Sequence, residues 1–353
     1  MPKHEQRTYR VIQWVTGHVG TVGLRHFAAN PVYELVGLLV TNPDKVGRDA
    51  GAIVGVDPTG VLATNDAEAI IALDADCVFY TPMYAEVDVI CRILRSGKNV
   101  VATGGYFYPT ADFREHGAKI EAACLEGGTS FHSGGIHPGY AGDVLPLTLA
   151  RAMNRVDKIH VYEVVNVLTD APLDHIEGMG FGKGKDAFLT EPTLLGMGVP
   201  FFAQSMHMIA DGLGISIEGI AVSLDAAVAT RDIPHELGAI ARGTVAAQHH
   251  EWTAMADGKP RIVFHAQYWT GSADDLDPGW DFGGTRYRTV IEGEPPTELT
   301  MQSVDPPEGA AAHPGYDWTA MAALNAIPAV CDAAPGWITN LDLGLVQPRG
   351  LIR

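Results

Sequence analysis

The stretch that decides the fold is Arg10-Val11-Ile12-Gln13-Trp14-Val15, followed at once by Thr16-Gly17-His18-Val19-Gly20-Thr21-Val22-Gly23. The first six residues are a short, mostly apolar run and read as a buried strand. The glycines then turn the chain into a helix expected over residues 19–29. Asn30-Pro31 stops that helix, because proline has no N–H to give and crowds the preceding turn. A strand, a glycine turn and a helix in succession offer bare backbone N–H groups and the positive end of a helix dipole to a pyrophosphate. The spacing is G-x-x-G-x-x-G rather than G-x-G-x-x-G, so the place of the turn carries the dinucleotide reading more than the motif does. Gly17, His18, Val19 and Gly20 are the residues it assigns, and a purely structural turn is the alternative.

Apolar runs at residues 33–40, 77–80, 99–103 and 130–132 continue the pattern. Between them lie helical stretches. One runs to Ile71 from an N-cap at Thr64, Asn65 or Asp66, with Glu68 available for a capping box. Another spans 84–96 and ends at Gly97, and a third spans 111–125 and closes at Gly127-Gly128. Continuous apolar strands separated by helices mean a parallel sheet covered on both faces, so residues 1–139 read as a doubly wound Rossmann domain. Residues 140–315 read differently. Long runs at 158–167, 261–269 and 286–292 alternate partially, with helices expected at 201–213 and 225–229. That is an α+β domain with a largely antiparallel open sheet. Residues 316–353 form a third segment, with an apolar helix expected at 319–329.

A length of 353 residues suits two domains, and 46% apolar content supplies a sizeable core. The net charge of −18 argues against a nucleic-acid backbone or an anionic membrane as the main partner, since both call for a basic face. Cys77, Cys91, Cys124 and Cys331 are scattered, which gives neither a zinc knuckle nor a disulfide framework and suits a reducing compartment. The polar start, residues 1–10, shows no export signal. A cytoplasmic protein acting on a small molecule is expected.

Cofactor choice turns on the residues after the second strand. A carboxylate there would bond the ribose 2′-OH of NAD and repel a 2′-phosphate. The chain instead continues Thr41-Asn42-Pro43-Asp44, with Lys45 and Arg48 following as candidate phosphate partners. NADP is the preferred reading and NAD stays open, as does the alternative that both cations are solvated loop charges. Thr81-Pro82 and Thr103, just past their strands, are placed at the ribose or nicotinamide by the rule that ligands bind at the carboxyl edge of such sheets.

Several longer motifs carry a resemblance. They are Gly17–Gly23, Gly47-Arg48-Asp49-Ala50-Gly51, Gly97-Lys98-Asn99-Val100-Val101-Ala102-Thr103, Gly135-Ile136-His137-Pro138-Gly139-Tyr140, Met179-Gly180-Phe181-Gly182-Lys183 and Asn325-Ala326-Ile327-Pro328. Nearly end to end, the chain resembles the dihydrodipicolinate reductase-like superfamily, and within it the branch of 2,4-diaminopentanoate dehydrogenase and the native amine dehydrogenases. The resemblance implies an NAD(P)-binding Rossmann domain, a second domain with the substrate pocket and dimer contacts, and a C-terminal helix ending at Asn325-Ala326-Ile327-Pro328 that returns to the cofactor domain; a simple helix stop before Pro328 is the alternative. It implies reversible hydride transfer at a C–N carbon. Two departures stand out. The His-His-x-x-x-Lys run and Ser-Gly-Thr loop of the reductases are missing from residues 164–183. The glutamate that amine dehydrogenases place after the strand ending at Thr103 is replaced by Gly104-Gly105-Tyr106-Phe107-Tyr108-Pro109.

The cofactor supplies the hydride, so the protein must position the substrate and manage a proton. His137 is the first candidate, because imidazole is the side chain suited to proton exchange near neutrality; a histidine bonded to backbone between the domains is the alternative. Glu163 can stand in for the missing carboxylate only if its side chain faces the pocket, and Tyr108 either donates a proton or lines a wall. Tyr106, Tyr140, Asn166 and Lys183 are expected in the substrate pocket, and the aromatic supply favours an apolar ligand. No metal site is expected: His235-Glu236 lacks a second histidine, and His249-His250-Glu251 reads as surface display on a helix. Residues 178–185 miss the phosphate-loop spacing, and Ser133 is not in G-x-S-x-G. The reading is an NAD(P)-dependent oxidoreductase that reductively aminates a small apolar carbonyl compound as a homodimer. A carbonyl or imine reductase without the amine-handling glutamate, or a non-catalytic NADP-binding protein, are its rivals.

Overall fold

The structure is a computed structural model that describes residues 7–170, 176–190, 199–304 and 314–352. The chain divides into two compact units, Met1–Gly139 with Tyr316–Arg353, and Tyr140–Gly315.

The first unit is built on a six-stranded parallel sheet of β1 (Tyr9–Trp14), β2 (Tyr33–Leu39), β3 (Cys77–Tyr80), β4 (Asn99–Ala102), β5 (Ser130–Ser133) and β15 (Gly336–Trp337). Their order is β15-β5-β4-β3-β1-β2. Alternate residues feed two cores. Ile12, Val78, Val100 and Phe131 enter one, and Val11, Phe79 and Val101 enter the other. Both faces are thus covered, as the unbroken apolar runs require. The chain runs outward from β1 in both directions, to β2 on one side and β3 on the other, which makes the carboxyl ends of β1 and β3 the topological switch point.

The helices follow their punctuation. His18–Ala29 ends at Asn30, Asp66 caps Ala67–Ile71 by accepting from Ala69 N at 3.0 Å, and Arg114–Gly127 closes on Gly128 with φ +64°. The helix expected over 84–96 starts later, at Val87, and Met83 and Tyr84 before it are exposed. The expected 319–329 helix is two pieces, Pro314–Leu324 and Ile327–Cys331, because Pro328 sits in a first turn, where its missing N–H costs nothing.

The second unit contains β6 (Arg155–Asn166), β7 (Gly219–Ala229), β8 (Ile233–His235), β9 (Gly238–Ile240), β10 (Val245–Ala256), β11 (Lys259–Trp269), β12 (Leu276–Asp277), β13 (Arg286–Glu294) and β14 (Thr297–Gln302). Seven of them form a mixed sheet in the order β12-β7-β10-β11-β6-β13-β14. Only β11–β6 is parallel among these neighbours. The helix Val199–Leu213 brings Phe202, Met206 and Ile209 onto one face, against Val161, Phe264 and Ile291. Two expectations fail here. Residues 225–229 belong to β7 rather than a helix, since pairing with β10 overrides the helix preference of alanine. His249-His250-Glu251 lies on β10, where neighbours alternate: His250 is buried on the core side while His249 and Glu251 share the other face.

Candidate functional site

The glycine turn sits at the switch point, and its glycines divide the work. Gly17 is the N-cap of helix His18–Ala29, which has no side-chain cap bond and no acid in its first turn. A Cβ on Gly17 would meet nothing within 4 Å, so the backbone there is open to close approach. Gly20 is the reverse: a Cβ would lie 2.4 Å from Val15 O and 2.6 Å from Thr81 Oγ1. Gly23 would strike Phe79 at 2.6 Å. The last two glycines therefore let helix and sheet pack tightly, and the first leaves room for a ligand against N–H donors. Val15 holds φ +66°, a left-handed conformation that costs a β-branched residue about 1–3 kcal/mol and turns the chain out of β1.

Side chains brace this turn. The Thr81 hydroxyl donates toward Trp14 O at 3.0 Å and Val15 O at 3.3 Å, while Gln13 Nε2 donates to Thr81 Oγ1 at 3.0 Å and to Val15 O at 2.9 Å. Thr81 is buried, so its hydroxyl holds the crossover together and is not free for a ribose. The sequence signal for this brace is Gln13 itself, a polar residue inside the mostly apolar run of β1 and fully buried there. Pro82 follows Thr81 half-buried, and Thr103 donates its backbone N–H to Tyr80 O at 3.2 Å. His18 stacks on Tyr316 with ring centroids 4.7 Å apart, and that tyrosine belongs to the helix that ends just before Asn325. Among the described residues Asn325 Oδ1 is buried with no hydrogen-bond partner, leaving an acceptor for a donor such as a carboxamide.

Beyond β2, Asn42 Oδ1 accepts from Asp44 N at 2.9 Å, and Thr41 and Asn42 are exposed. Lys45 Nζ donates to Thr16 Oγ1 at 2.9 Å and Thr16 O at 3.2 Å, which puts a cation next to the glycine turn. Arg48 is exposed, reaching only Ala52 O at 3.5 Å. Asp49 accepts backbone N–H groups of Thr59, Gly60, Gly51 and Ala52, and these bonds hold its carboxyl below the usual carboxylate range. Its charge is committed to the loop.

After β4 the chain turns through Gly104 and Gly105. Gly105 has φ +88°, and a Cβ on it would lie 2.4 Å from Ala85 Cβ. A Cβ does not fit at that position, so residue 105 itself cannot supply the carboxylate that the resemblance implies after this strand. Tyr106 is not a pocket residue: it is buried edge-on against Phe113, His116 and Trp337, with its hydroxyl 3.1 Å from His116 Nδ1. Tyr108 is buried, and His137 is half-buried in an irregular turn after β5.

In the second unit Glu163 occupies the helix-covered side of β6, in register with Tyr287 of β13. It is 8% exposed, and its Oε1 accepts from Tyr287 Oη at 3.4 Å. Burial, with the Glu163 charge next, pushes the Tyr268 hydroxyl well above its usual range. This buried carboxylate flanked by two tyrosines is the strongest acid/base candidate of that unit. Asn166 serves locally, its Oδ1 accepting from Leu168 N at 3.1 Å. Lys183 lines a cavity of about 720 Å³ with Glu177, Phe181 and His235, and Tyr140 is exposed.

Comparison with known proteins gives four likenesses. Residues 140–352 match the family of the 2,4-diaminopentanoate dehydrogenase C-terminal domain. The chain is 34% identical to an amine dehydrogenase of Streptomyces virginiae, over 95% of the chain and 96% of that protein. It is 36% identical to a 4-hydroxy-tetrahydrodipicolinate reductase of Synechococcus elongatus, but over only 18% of the chain and 23% of the relative. The fold matches an amine dehydrogenase structure from Mycobacterium smegmatis with a TM-score of 0.79 at 20% identity, covering 99% of this chain and all of that one.

Proposed function

Because the chain belongs to the 2,4-diaminopentanoate dehydrogenase and amine dehydrogenase family, it is an NAD(P)-dependent oxidoreductase, and we propose that it reductively aminates a small apolar carbonyl compound. The coenzyme, when bound, supplies the hydride. The observation that carries the reading is the glycine turn: Gly17 open to a ligand at an uncapped helix start, with Gly20 and Gly23 closed against the sheet. Gly17, His18, Val19 and Gly20 hold the diphosphate, with Pro82, Thr103 and Asn325 around the ribose and nicotinamide and Thr81 bracing the turn behind them. NADP is the preferred coenzyme. Lys45 at Thr16, a loop-committed Asp49 and no acid in Thr41-Asn42 support that choice, with Arg48 as the second phosphate partner.

Glu163 takes the amine-handling role left open at Gly104-Gly105, and His137 exchanges the second proton. Tyr108, Tyr140, Asn166 and Lys183 border the substrate. The protein works in the cytoplasm as a homodimer; its free thiols, three of them buried, suit a reducing compartment. No helix among the described residues is long and apolar enough to cross a membrane.

Gly105, with no space for a side chain, supports a second reading, a carbonyl reductase without an amine step. NADPH oxidation in the presence of aliphatic ketones and aldehydes separates the two. Ammonium-dependent oxidation is the expected result, and oxidation at the same rate without ammonium overturns the amination reading. Lys45→Ala should raise KM for NADPH with little change for NADH; equal effects on both coenzymes would reverse the NADP assignment.

A further inference from the structure

On the face of the second sheet turned away from the helix-packed core, β10 and β11 bring three potential ligands together. His249 and Glu251 stand two residues apart on β10, and His265 is the register partner of Glu251 on β11. His249 Nε2 lies 3.2 Å from His265 Nδ1, Glu251 Oε2 lies 3.5 Å from the same nitrogen, and the three ligand atoms all fall within 4.8 Å of one another. A tetrahedral ion bound at about 2.0–2.1 Å separates its ligand atoms by roughly 3.3–3.4 Å, so the two short spacings are already those of a coordinated set.

We propose that His249, Glu251 and His265 form a site for one divalent transition-metal ion of the zinc type.

The surrounding bonds orient the ligands. His160 Nε2 meets Glu292 Oε1 at 2.9 Å, and His160 Nδ1 meets His265 Nε2 at 3.1 Å. A carboxylate only accepts, so His160 carries its proton on Nε2. Its Nδ1 then accepts from His265 Nε2–H, which leaves the lone pair of His265 Nδ1 directed at His249 and Glu251. A carboxylate–imidazole chain behind a ligand histidine is the usual support of a bound metal. Tyr162 stacks on His265 at 4.2 Å and 6°, fixing the ring plane. Thr253 Oγ1 donates to Glu251 Oε1 at 3.1 Å, which leaves Oε2 for the metal.

The chemistry of the set selects the ion. Two imidazoles and one carboxylate suit zinc, cobalt or nickel and exclude a preference for calcium or magnesium, which take oxygen ligands. Three protein ligands leave a fourth position for water. The ion would staple β10 to β11, and the site does not depend on the redox reading above.

The test uses the full chain, stripped with a chelator and titrated with Co²⁺, followed by the visible ligand-field absorption of four-coordinate cobalt. The expected result is saturation at one ion per chain and displacement by Zn²⁺. Both His249→Ala and Glu251→Gln should remove the signal while far-UV circular dichroism stays unchanged; these positions are half-buried, so loss of fold is not expected. His160→Gln should keep the site and weaken it roughly 10–100-fold. No saturable cobalt signal in the wild-type chain, or an undiminished signal in Glu251→Gln, overturns the proposal.

Discussion

The Thr81 hydroxyl reaches Trp14 O at 3.0 Å and so ties the end of β3 to the end of β1 on either side of the glycine turn. Thr81→Val keeps the shape and deletes the hydroxyl. It leaves Gln13 Nε2 with one acceptor fewer at a buried position. The expected loss is about 1–3 kcal/mol of stability, with NADPH affinity reduced several-fold, read by thermal unfolding and fluorescence titration.

Gly17→Ala and Gly20→Ala should separate binding from folding. The Gly17 Cβ enters open space at φ −71°, so the fold is kept and NADPH binding weakens by about tenfold or more as the methyl group obstructs the backbone. The Gly20 Cβ strikes Val15 O, and overpacking of this kind costs about 1–3 kcal/mol. Unfolding midpoints and NADPH titrations of both variants check this. Equal unfolding shifts would argue against the division of labour.

Glu163→Gln tests the amine-handling carboxylate. Ammonium-dependent kcat/KM should fall by about 10²-fold or more, with NADPH affinity unchanged. Tyr287→Phe, which removes the 3.4 Å bond to Glu163, should cost less than tenfold. A Glu163→Gln enzyme with wild-type amination kinetics would move the role elsewhere.

His132 makes folding sensitive to acid. It is buried on β5 and donates from Nδ1 to Ile338 O at 2.8 Å, and burial pushes its pKa down to about 4. Unfolded, it titrates near 6.5. Between those values the unfolded chain binds the extra proton, so this stability is complete above about pH 6.5 and is lost as pH falls toward 4. The contribution is on the order of 2–3 kcal/mol. Urea midpoints taken from pH 7 to pH 4.5 should fall, and His132→Gln should flatten the decline.

The sequence reading was most secure where punctuation and periodicity agreed. Gly17 to Gly23, Asn30 and Gly128 each mark a boundary through backbone chemistry that a single residue dictates. The reading of 225–229 failed because alanine and valine leave helix and strand close in energy, and the partner strand β10 lies some twenty residues downstream. Tyr106 read as a pocket residue because an aromatic after a parallel strand suits either a ligand or a core; Trp337, more than two hundred residues away, makes it core. A helical reading sets the His249-His250-Glu251 run aside as a metal cluster for a related reason, because adjacent residues on a helix do not share a face. Once the segment is read as a strand, alternation pairs His249 with Glu251, but His265 and His160 join only through sheet register.

The last strand of the parallel sheet, β15, pairs with β5 at Ser130 and Phe131, and Trp337 covers Phe131 edge-on at 5.8 Å. On a ribosome, this unit therefore stays incomplete while all of Tyr140–Gly315 is being synthesised. During that interval the outer backbone edge of β5 and the aromatic face of Phe131 are available to other chains, so nascent protein is open to misassembly there.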